Sequence, residues 1–156
     1  MKIKILVMDV DGTLTDGHIY VGAEGEMMKA FHVQDGYGIA HILPRFGITP
    51  VIITGRSSRI VEKRAAELKI AHLHQGIGDK LAKLQEVAAE LGATAEEIAY
   101  IGDDVNDLSC IQWCGCTACP ADAVPEVLAA VDYVCKREGG RGAVREFIDS
   151  VIGVWK

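Results

Sequence analysis

The stretch ILVMDVDGTLTDG, residues 5–17, runs from an apolar segment straight into two carboxylates, Asp9 and Asp11, set two positions apart. Burying an unpaired charge is costly, and adjacent carboxylates drive one another toward the protonated form unless a cation sits between them. The segment therefore predicts a buried first strand, KIKILVMD, whose carboxyl end must be met by positive charge from elsewhere. The length of 156 residues suits a single domain over 1–156. A composition 49% hydrophobic and 24% charged is ample for a packed core. No apolar run approaches the roughly 18 residues of a bilayer-spanning helix. Asp9 ends the first apolar run, so MKIKILVMDV reads as a strand and not as a signal peptide. A net charge of −6 and a pI near 5.3 argue against a general nucleic-acid binder. With no membrane partner and no address to another compartment, the expected location is the cytoplasm.

Outward from this strand, apolar runs alternate with helix-period segments. HIYVGAEGEMMKAFHV, about residues 18–33, reads as a β-hairpin turning at Gly22-Ala-Glu-Gly25. Residues 36–46 read as a helix, TPVIIT (49–54) as a strand, and SSRIVEKRAAELK (57–69) as an amphipathic helix capped by Ser57 or Ser58. AHLHQ is a short strand, DKLAKLQEVAAEL (79–91) a helix stopped by Gly92, and IAYIGDD (98–104) a strand ending in acid. A helix near 105–113, a strand near 116–120, a helix near 123–130, the strand DYVCK and a helix over 142–152 follow. Such alternation predicts an α/β fold: a Rossmann-like, doubly wound, mostly parallel sheet with helices on both faces, plus the hairpin after strand 1. The cysteine-rich segment CIQWCGCTAC holds Cys110, Cys114, Cys116 and Cys119. It lacks the second ligand pair of a zinc ribbon and reads as packing residues. His72 and His74 alternate on a strand with no third ligand near and read as surface positions.

Ligands of doubly wound sheets bind beyond the carboxyl ends of the strands. Here those ends carry Asp9 and Asp11, then Thr54-Gly55-Arg56, then Asp103-Asp104 with Asp107 a turn later, and Asp79-Lys80 after strand 71–75. Carboxylates from two strand ends suit a hard, oxygen-liganded cation, Mg²⁺ above all, which would offset their repulsion. Lys80 and Thr54 would then hold phosphate oxygens. Asp9 would attack phosphorus to form an aspartyl-phosphate. Asp11, on the same face if the strand persists, would protonate the departing alkoxide and then activate water.

DVDGT, TGR, a lone Lys before a helix, and GDDVND, in that order and each at a strand exit, resemble the haloacid dehalogenase superfamily of phosphotransferases over nearly the whole chain. The resemblance implies Asp9 as nucleophile and Asp11 as general acid/base. It implies Mg²⁺ held by Asp9, the Asp11 carbonyl and Asp103, with Thr54 and Lys80 on the phosphoryl group. Asp104 and Asp107 would be supporting acids, Asp107 orienting Lys80 or a magnesium-bound water. Thr54 and Lys80 are only 26 residues apart, and Asp11 and Thr54 only 43, which leaves no room for a cap domain. DGHIYVGAEGEMMKAFHVQDGYGI, ITGRSSRIVEKR and GGRGAVRE are similar to the capless subgroup that dephosphorylates 3-deoxy-D-manno-octulosonate 8-phosphate on the route to lipopolysaccharide. That subgroup is tetrameric, and the hairpin and C-terminal segment of one subunit help to build the neighbour's site. A neighbour in place of a lid would shield the phosphoenzyme from water.

The implied substrate is a small acidic sugar phosphate, whose carboxylate needs cations. Arg56 and Arg64, about two helical turns apart, and Arg141 on the flexible loop 139–142 are the candidates. By resemblance His32, Val33, Gln34, Asp35 and Gly36 contact the sugar or phosphate, and Gly55 lies beside them on the rim. The nearest alternative is the 9-phosphate of a nine-carbon keto acid. That branch carries an acidic residue after Thr-Gly where this chain has Arg56. A receiver-like signalling domain gathers similar residues but carries its acceptor Asp after the third strand, and TPVIIT ends in none. A catalytically silent assembly partner would not need the intact Asp9 and Asp11.

Overall fold

The computed structural model describes residues 2–150. Six parallel strands form the central sheet in the order β5-β4-β1-β6-β7-β8: β1 (Ile5–Met8), β4 (Thr49–Ile53), β5 (His72–His74), β6 (Ile98–Ile101), β7 (Cys116–Cys119) and β8 (Tyr133–Val134). The hairpin strands, β2 (Tyr20–Gly22) and β3 (Gly25–Met28), pair antiparallel in a sheet of their own.

The continuous apolar strands follow from burial on both faces. Leu6 and Met8 of β1 join Ile52, Ala99 and Ile101 beneath α2 (Arg59–Glu67) and α6 (Ala143–Ser150), packing on Val61, Ala65, Val144 and Phe147. Ile5 and Val7 face the other way, joining Val51, Ile53 and Tyr100 against α3 (Lys80–Glu90), α4 (Leu108–Trp113) and α5 (Pro125–Leu128) through Leu84, Val87, Ile111 and Val127. The chain runs from β1 outward to β5 and returns to lay β6 on the other side of β1, so the strand order reverses between β1 and β6. Crevices at such a reversal hold the ligand in doubly wound folds.

Several expected boundaries shift. The segment expected as a helix over 36–46 starts earlier, as α1 (Val33–Tyr37), because the His32 ring accepts the Gln34 N–H as an N-cap. It widens to a π turn over Gly38–Ile42 and tightens to 3₁₀ over Leu43–Phe46, ending at Gly47. Pro44 has no N–H to continue a regular ladder. The helix expected near 105–113 opens with a 3₁₀ turn, Val105–Asp107, and the one near 123–130 keeps only α5. The last helix is described to Ser150, and residues 151 and 152 of its expected span lie outside the described residues.

One correction bears on chemistry. Strand β1 stops at Met8, so Asp11 is not carried to the Asp9 face by strand alternation. Past Val10 the chain closes into a tight turn whose Thr13, Leu14 and Thr15 N–H groups all donate to the Val10 carbonyl. Gly12 takes φ +92°, and a Cβ there would lie 2.0 Å from Asp103 Oδ2. Only glycine lets the turn lie against that carboxylate.

Candidate active site

Asp9, Asp103 and Asp107 converge at the β1–β6 reversal, each offering a carboxylate oxygen within 4.8 Å of the others'. They are not equivalent. Asp107, fully buried, accepts Lys80 Nζ (2.9 Å) and the Tyr100 hydroxyl on Oδ1, and the backbone N–H groups of Asp103 (3.0 Å) and Asp104 (3.2 Å) on Oδ2. Four donors saturate it, so it orients Lys80 and the acidic loop and has little left to offer a metal. Of the two roles expected for Asp107, this geometry favours the lysine. Asp9 Oδ1 accepts the Val10 N–H (2.8 Å) and lies 3.2 Å from Lys80 Nζ, while Asp103 Oδ1 accepts the Thr13 hydroxyl (2.9 Å).

The electrostatics follow. Burial, reinforced by the Asp107 charge, holds the Asp9 carboxyl above the usual carboxylate range even though Lys80 pulls it down. Burial, with the Asp9 charge beside it, pushes Asp103 up to about 8. Burial alone would lower the Lys80 ammonium, but Asp9 and Asp107 outweigh it and hold its pKa above the ordinary lysine value. Two carboxylates driven toward protonation by burial and by neighbouring carboxylates are what a divalent, oxygen-liganded cation would stabilise as anions. The donor set of Asp9 and Asp103 fits such an ion.

In front of them lies a cleft of about 150 Å³, lined by Asp9, Asp11, Thr54, Gly55, Arg56, Asp104 and Asn106. Thr54 is buried, held by its N–H to the His74 carbonyl and by its carbonyl to the Ile77 N–H. Asp104 caps the 3₁₀ turn by accepting the Val105 N–H. Asp11 turns toward the hairpin. Its Oδ1 takes Lys29 Nζ at 2.5 Å and its Oδ2 lies 3.8 Å from Arg56 Nε. Arg56 sits in the loop before α2, at the cleft.

The other expected substrate residues lie apart. Arg64, on α2, stacks over Phe31 (5.3 Å) and pairs with Glu67 (3.3 Å), so it does not share a helix face with Arg56. With His32, Asp35 and Gly36 it lines a neighbouring, largely apolar pocket, where Arg64 Nε and Asp35 Oδ2 are buried without a hydrogen-bond partner. Burial there pushes Asp35 up to about 6, although its Oδ1 accepts the Arg145 N–H. Gln34 accepts from Arg137 Nη1 (2.7 Å), and Val33 is exposed. Arg141 is not on a flexible loop. Gly139 packs so closely on the DGT turn that a Cβ would lie 1.9 Å from the Gly12 carbonyl, and the Gly140 N–H donates to the Thr13 carbonyl. The Arg141 side chain is exposed at this pinned turn. His72 and His74 are half-buried on edge strand β5.

The sequence reading missed several contributors, Asn106 of the cleft lining and Glu26 of β3 among them. Tyr100 hides in an apolar strand, and only its hydroxyl gives it away. Thr13 and Ser58 pass as turn and cap residues. Lys29, a side chain 1% exposed, follows two methionines in a hairpin. A lone lysine between apolar hairpin residues was the available signal.

A carboxylate after the central strand, a lysine leading a helix and an acidic loop after the adjacent strand belong to one class of phosphoryl-transfer fold. The chain belongs to the haloacid dehalogenase-like hydrolases, whose family model matches residues 73–148. Within that family its similarity is to a particular enzyme. The 3-deoxy-D-manno-octulosonate 8-phosphate phosphatase KdsC of Yersinia pestis is 45% identical over 151 residues, covering 97% of this chain and 80% of the relative. The protein of that name from Escherichia coli K12 matches equally, 45% over 151 residues. Among solved structures, the cobalt-bound phosphatase of Haemophilus influenzae superposes with a TM-score of 0.94 at 40% identity, covering 98% of this chain and 89% of that one. The Moraxella catarrhalis phosphatase, in complex with a magnesium ion, a phosphate ion and a KDO molecule, has a TM-score of 0.90 at 44% identity, covering 94% and 83%. No domain is inserted among the described residues, and none of their helices is long and apolar enough to cross a membrane.

Proposed function

We propose that this chain is a magnesium-dependent phosphomonoesterase that converts 3-deoxy-D-manno-octulosonate 8-phosphate to the free sugar acid and phosphate. The observation that carries the reading is the buried Asp9–Lys80–Asp107 arrangement beside Asp103, at the mouth of a cleft sized for a phosphoryl group. Mg²⁺ would be held by Asp9, Asp103 and the Asp11 carbonyl, and when bound it supplies charge neutralisation for the phosphate and its transition state. Asp9 attacks phosphorus in line as the P–O bond to the sugar breaks, giving an aspartyl-phosphate. Asp11 gives its proton to the departing sugar oxygen, then removes one from the water that attacks phosphorus and frees Asp9. Lys80 and Thr54 hold the equatorial oxygens through both steps, and Asp107 keeps Lys80 aimed.

Arg56 at the cleft supplies the cation for the sugar carboxylate, with Gly55 beside it, and favours the eight-carbon acid over a nine-carbon one. Arg64, Arg141 and the segment His32, Val33, Gln34, Asp35 and Gly36 serve the substrate from outside the cleft, in part across a subunit boundary. The chain works as a homotetramer in the cytoplasm, with no nucleic-acid or membrane partner. Supporting the assembly, Val21, Met27 and Met28 of the hairpin and Val33 and Tyr37 of α1 are exposed apolar residues on neighbouring elements. Supporting the compartment, all five cysteines are free thiols. The test is phosphate release from the eight- and nine-carbon acid phosphates, side by side, with Mg²⁺ and with EDTA. The expected result is preference for the eight-carbon acid and loss of turnover in EDTA. Equal or better hydrolysis of the nine-carbon acid overturns the substrate, and turnover in EDTA overturns the metal's role.

A further inference from the structure

We propose that the hairpin completes the catalytic centre of its own subunit: Lys29, just beyond β3, is the positioning residue for Asp11, and Glu26 on β3 ties that contact to Arg56. The proposal rests on the reading of Asp11 as general acid/base given above.

Asp11 follows the end of β1 by three residues and sits in a turn, so no strand register orients its side chain. Its direction is set by what it touches. The Lys29 ammonium reaches it at 2.5 Å and Glu26 Oε2 at 3.1 Å, with the lysine side chain 1% exposed. Glu26 Oε2 is in turn 3.5 Å from Arg56 Nη2, and Arg56 Nε is 3.8 Å from Asp11 Oδ2. The ring closes as Asp11–Lys29–Glu26–Arg56, each carboxyl group lying between the same two cations. The Ser58 hydroxyl donates to Glu26 Oε1 and anchors the ring to the start of α2. A buried ammonium is tolerated only when fully paired, and this one spends its pairing on a residue of the reaction. A lysine that merely fastened the hairpin would be served by Glu26 alone.

The proton accounting shows where the effect must fall. As Asp9 oxygen bonds to phosphorus and the P–O bond to the sugar breaks, the Asp11 proton passes to the sugar oxygen and Asp11 becomes a carboxylate. That transfer demands that the Asp11 oxygen point at the leaving group, and Lys29 fixes the carboxyl on its other side. A leaving group that departs as a stable anion needs no such proton. Lys29 therefore matters for a sugar alkoxide and little for a nitrophenolate.

The experiment compares kcat/KM, which reports the steps up to the phosphoenzyme, on the eight-carbon sugar acid phosphate and on p-nitrophenyl phosphate with Mg²⁺. Asp11→Asn, Lys29→Met, Lys29→Gln and Lys29→Arg are measured alongside the unaltered protein. A positioned acid contributes about 10²–10⁴-fold, so Asp11→Asn should show a loss of that order on the sugar phosphate and a far smaller one on the nitrophenyl ester. Lys29→Met and Lys29→Gln should lose about 10–100-fold on the sugar phosphate, part of that same contribution, and at least about tenfold less on the nitrophenyl ester. Lys29→Arg should recover part of the loss. If both neutral Lys29 variants lose equally on the two substrates while Asp11→Asn is selective, Lys29 is structural and the proposal falls alone. If Asp11→Asn is itself unselective, Asp11 is not the acid, and both readings fall.

Discussion

Asp107→Asn changes one atom in the most heavily bonded side chain of the site. In the native protein Oδ1 accepts from Lys80 and Tyr100 while Oδ2 accepts two backbone N–H groups. An amide has only one oxygen. If it keeps the backbone N–H groups, its NH₂ faces the Lys80 ammonium, donor against donor, and the lysine is left with Asp9 alone. Hydrogen bonds to a charged group are worth about 1.5–3 kcal/mol each, and removing one partner of a buried ion pair costs about 3–5 kcal/mol. Asp9 still partners Lys80, and Tyr100 can rotate its hydroxyl to accept, so the expected loss is about 2–4 kcal/mol, within those two bounds. At about 2–4 °C per kcal/mol for a chain of this size, melting should fall by roughly 4–16 °C. Because Lys80 loses its aim at the phosphoryl group, kcat should fall further than the lowered folded fraction explains. Thermal melts and steady-state kinetics, with the exposed ion-pair change Glu86→Ala on α3 as comparison, measure both. A melting shift within about 1 °C, or full kcat at saturating substrate, would refute the assignment of Asp107 as the residue that aims Lys80.

Further outcomes follow from the same geometry. Asp9→Asn should abolish phosphate release, with an unchanged circular dichroism spectrum, because it removes the nucleophile and little volume. Apparent Mg²⁺ affinity, read by calorimetry, should weaken about tenfold per pH unit below the Asp103 value of about 8, since the ion must displace that proton. In EDTA, where the folded-state pKa of Asp103 stands above its unfolded value near 3.8, its contribution to stability should be complete below about 3.8 and be lost as pH rises through about 8, giving a falling slope between about pH 6 and 8. Added Mg²⁺ should reverse that slope in thermal melts, and an unchanged slope would contradict it. Gly139→Ala should lower stability by about 1–3 kcal/mol, the usual penalty for overpacking, and reduce turnover by displacing the DGT turn from Asp103. A neutral effect in denaturant unfolding would show that the 138–142 turn does not brace the site.

Much of this was legible in the sequence because parallel strands buried on both faces write themselves as unbroken apolar runs. Ile5–Met8, Thr49–Ile53 and Ile98–Ile101 stand out for that reason, and with them the carboxylates at their exits. The convergence of Asp9 and Asp103, the proposed metal pair, needed only the rule that such exits meet at the reversal of strand order. Side-chain direction past a strand end was not legible. Asp11 lies in a turn whose course depends on Gly12 passing over Asp103, a contact between residues far apart in the chain. The burial of Lys29 was signalled only by its place between apolar hairpin residues, since Glu26 shares its hairpin but its other partner, Asp11, comes from another element. The pairing of Arg56 with Arg64 by helical spacing failed because the helix starts at Arg59, after the Ser58 cap. The Gly139-Gly140 pair reads as a flexible loop until the DGT turn is laid against it.

The most direct measurement is a crystal structure of the protein with Mg²⁺ and beryllium fluoride, a mimic of the phosphoryl group on an aspartate. The account predicts beryllium on Asp9, with the ion bonded at about 2.0–2.1 Å to the Asp9 and Asp103 carboxylates and the Asp11 carbonyl. In that structure Lys80 and Thr54 should touch the fluorines, and Asp107 should still hold Lys80 without touching the ion. An ion bound through Asp107, or a beryllium on any residue other than Asp9, would contradict it.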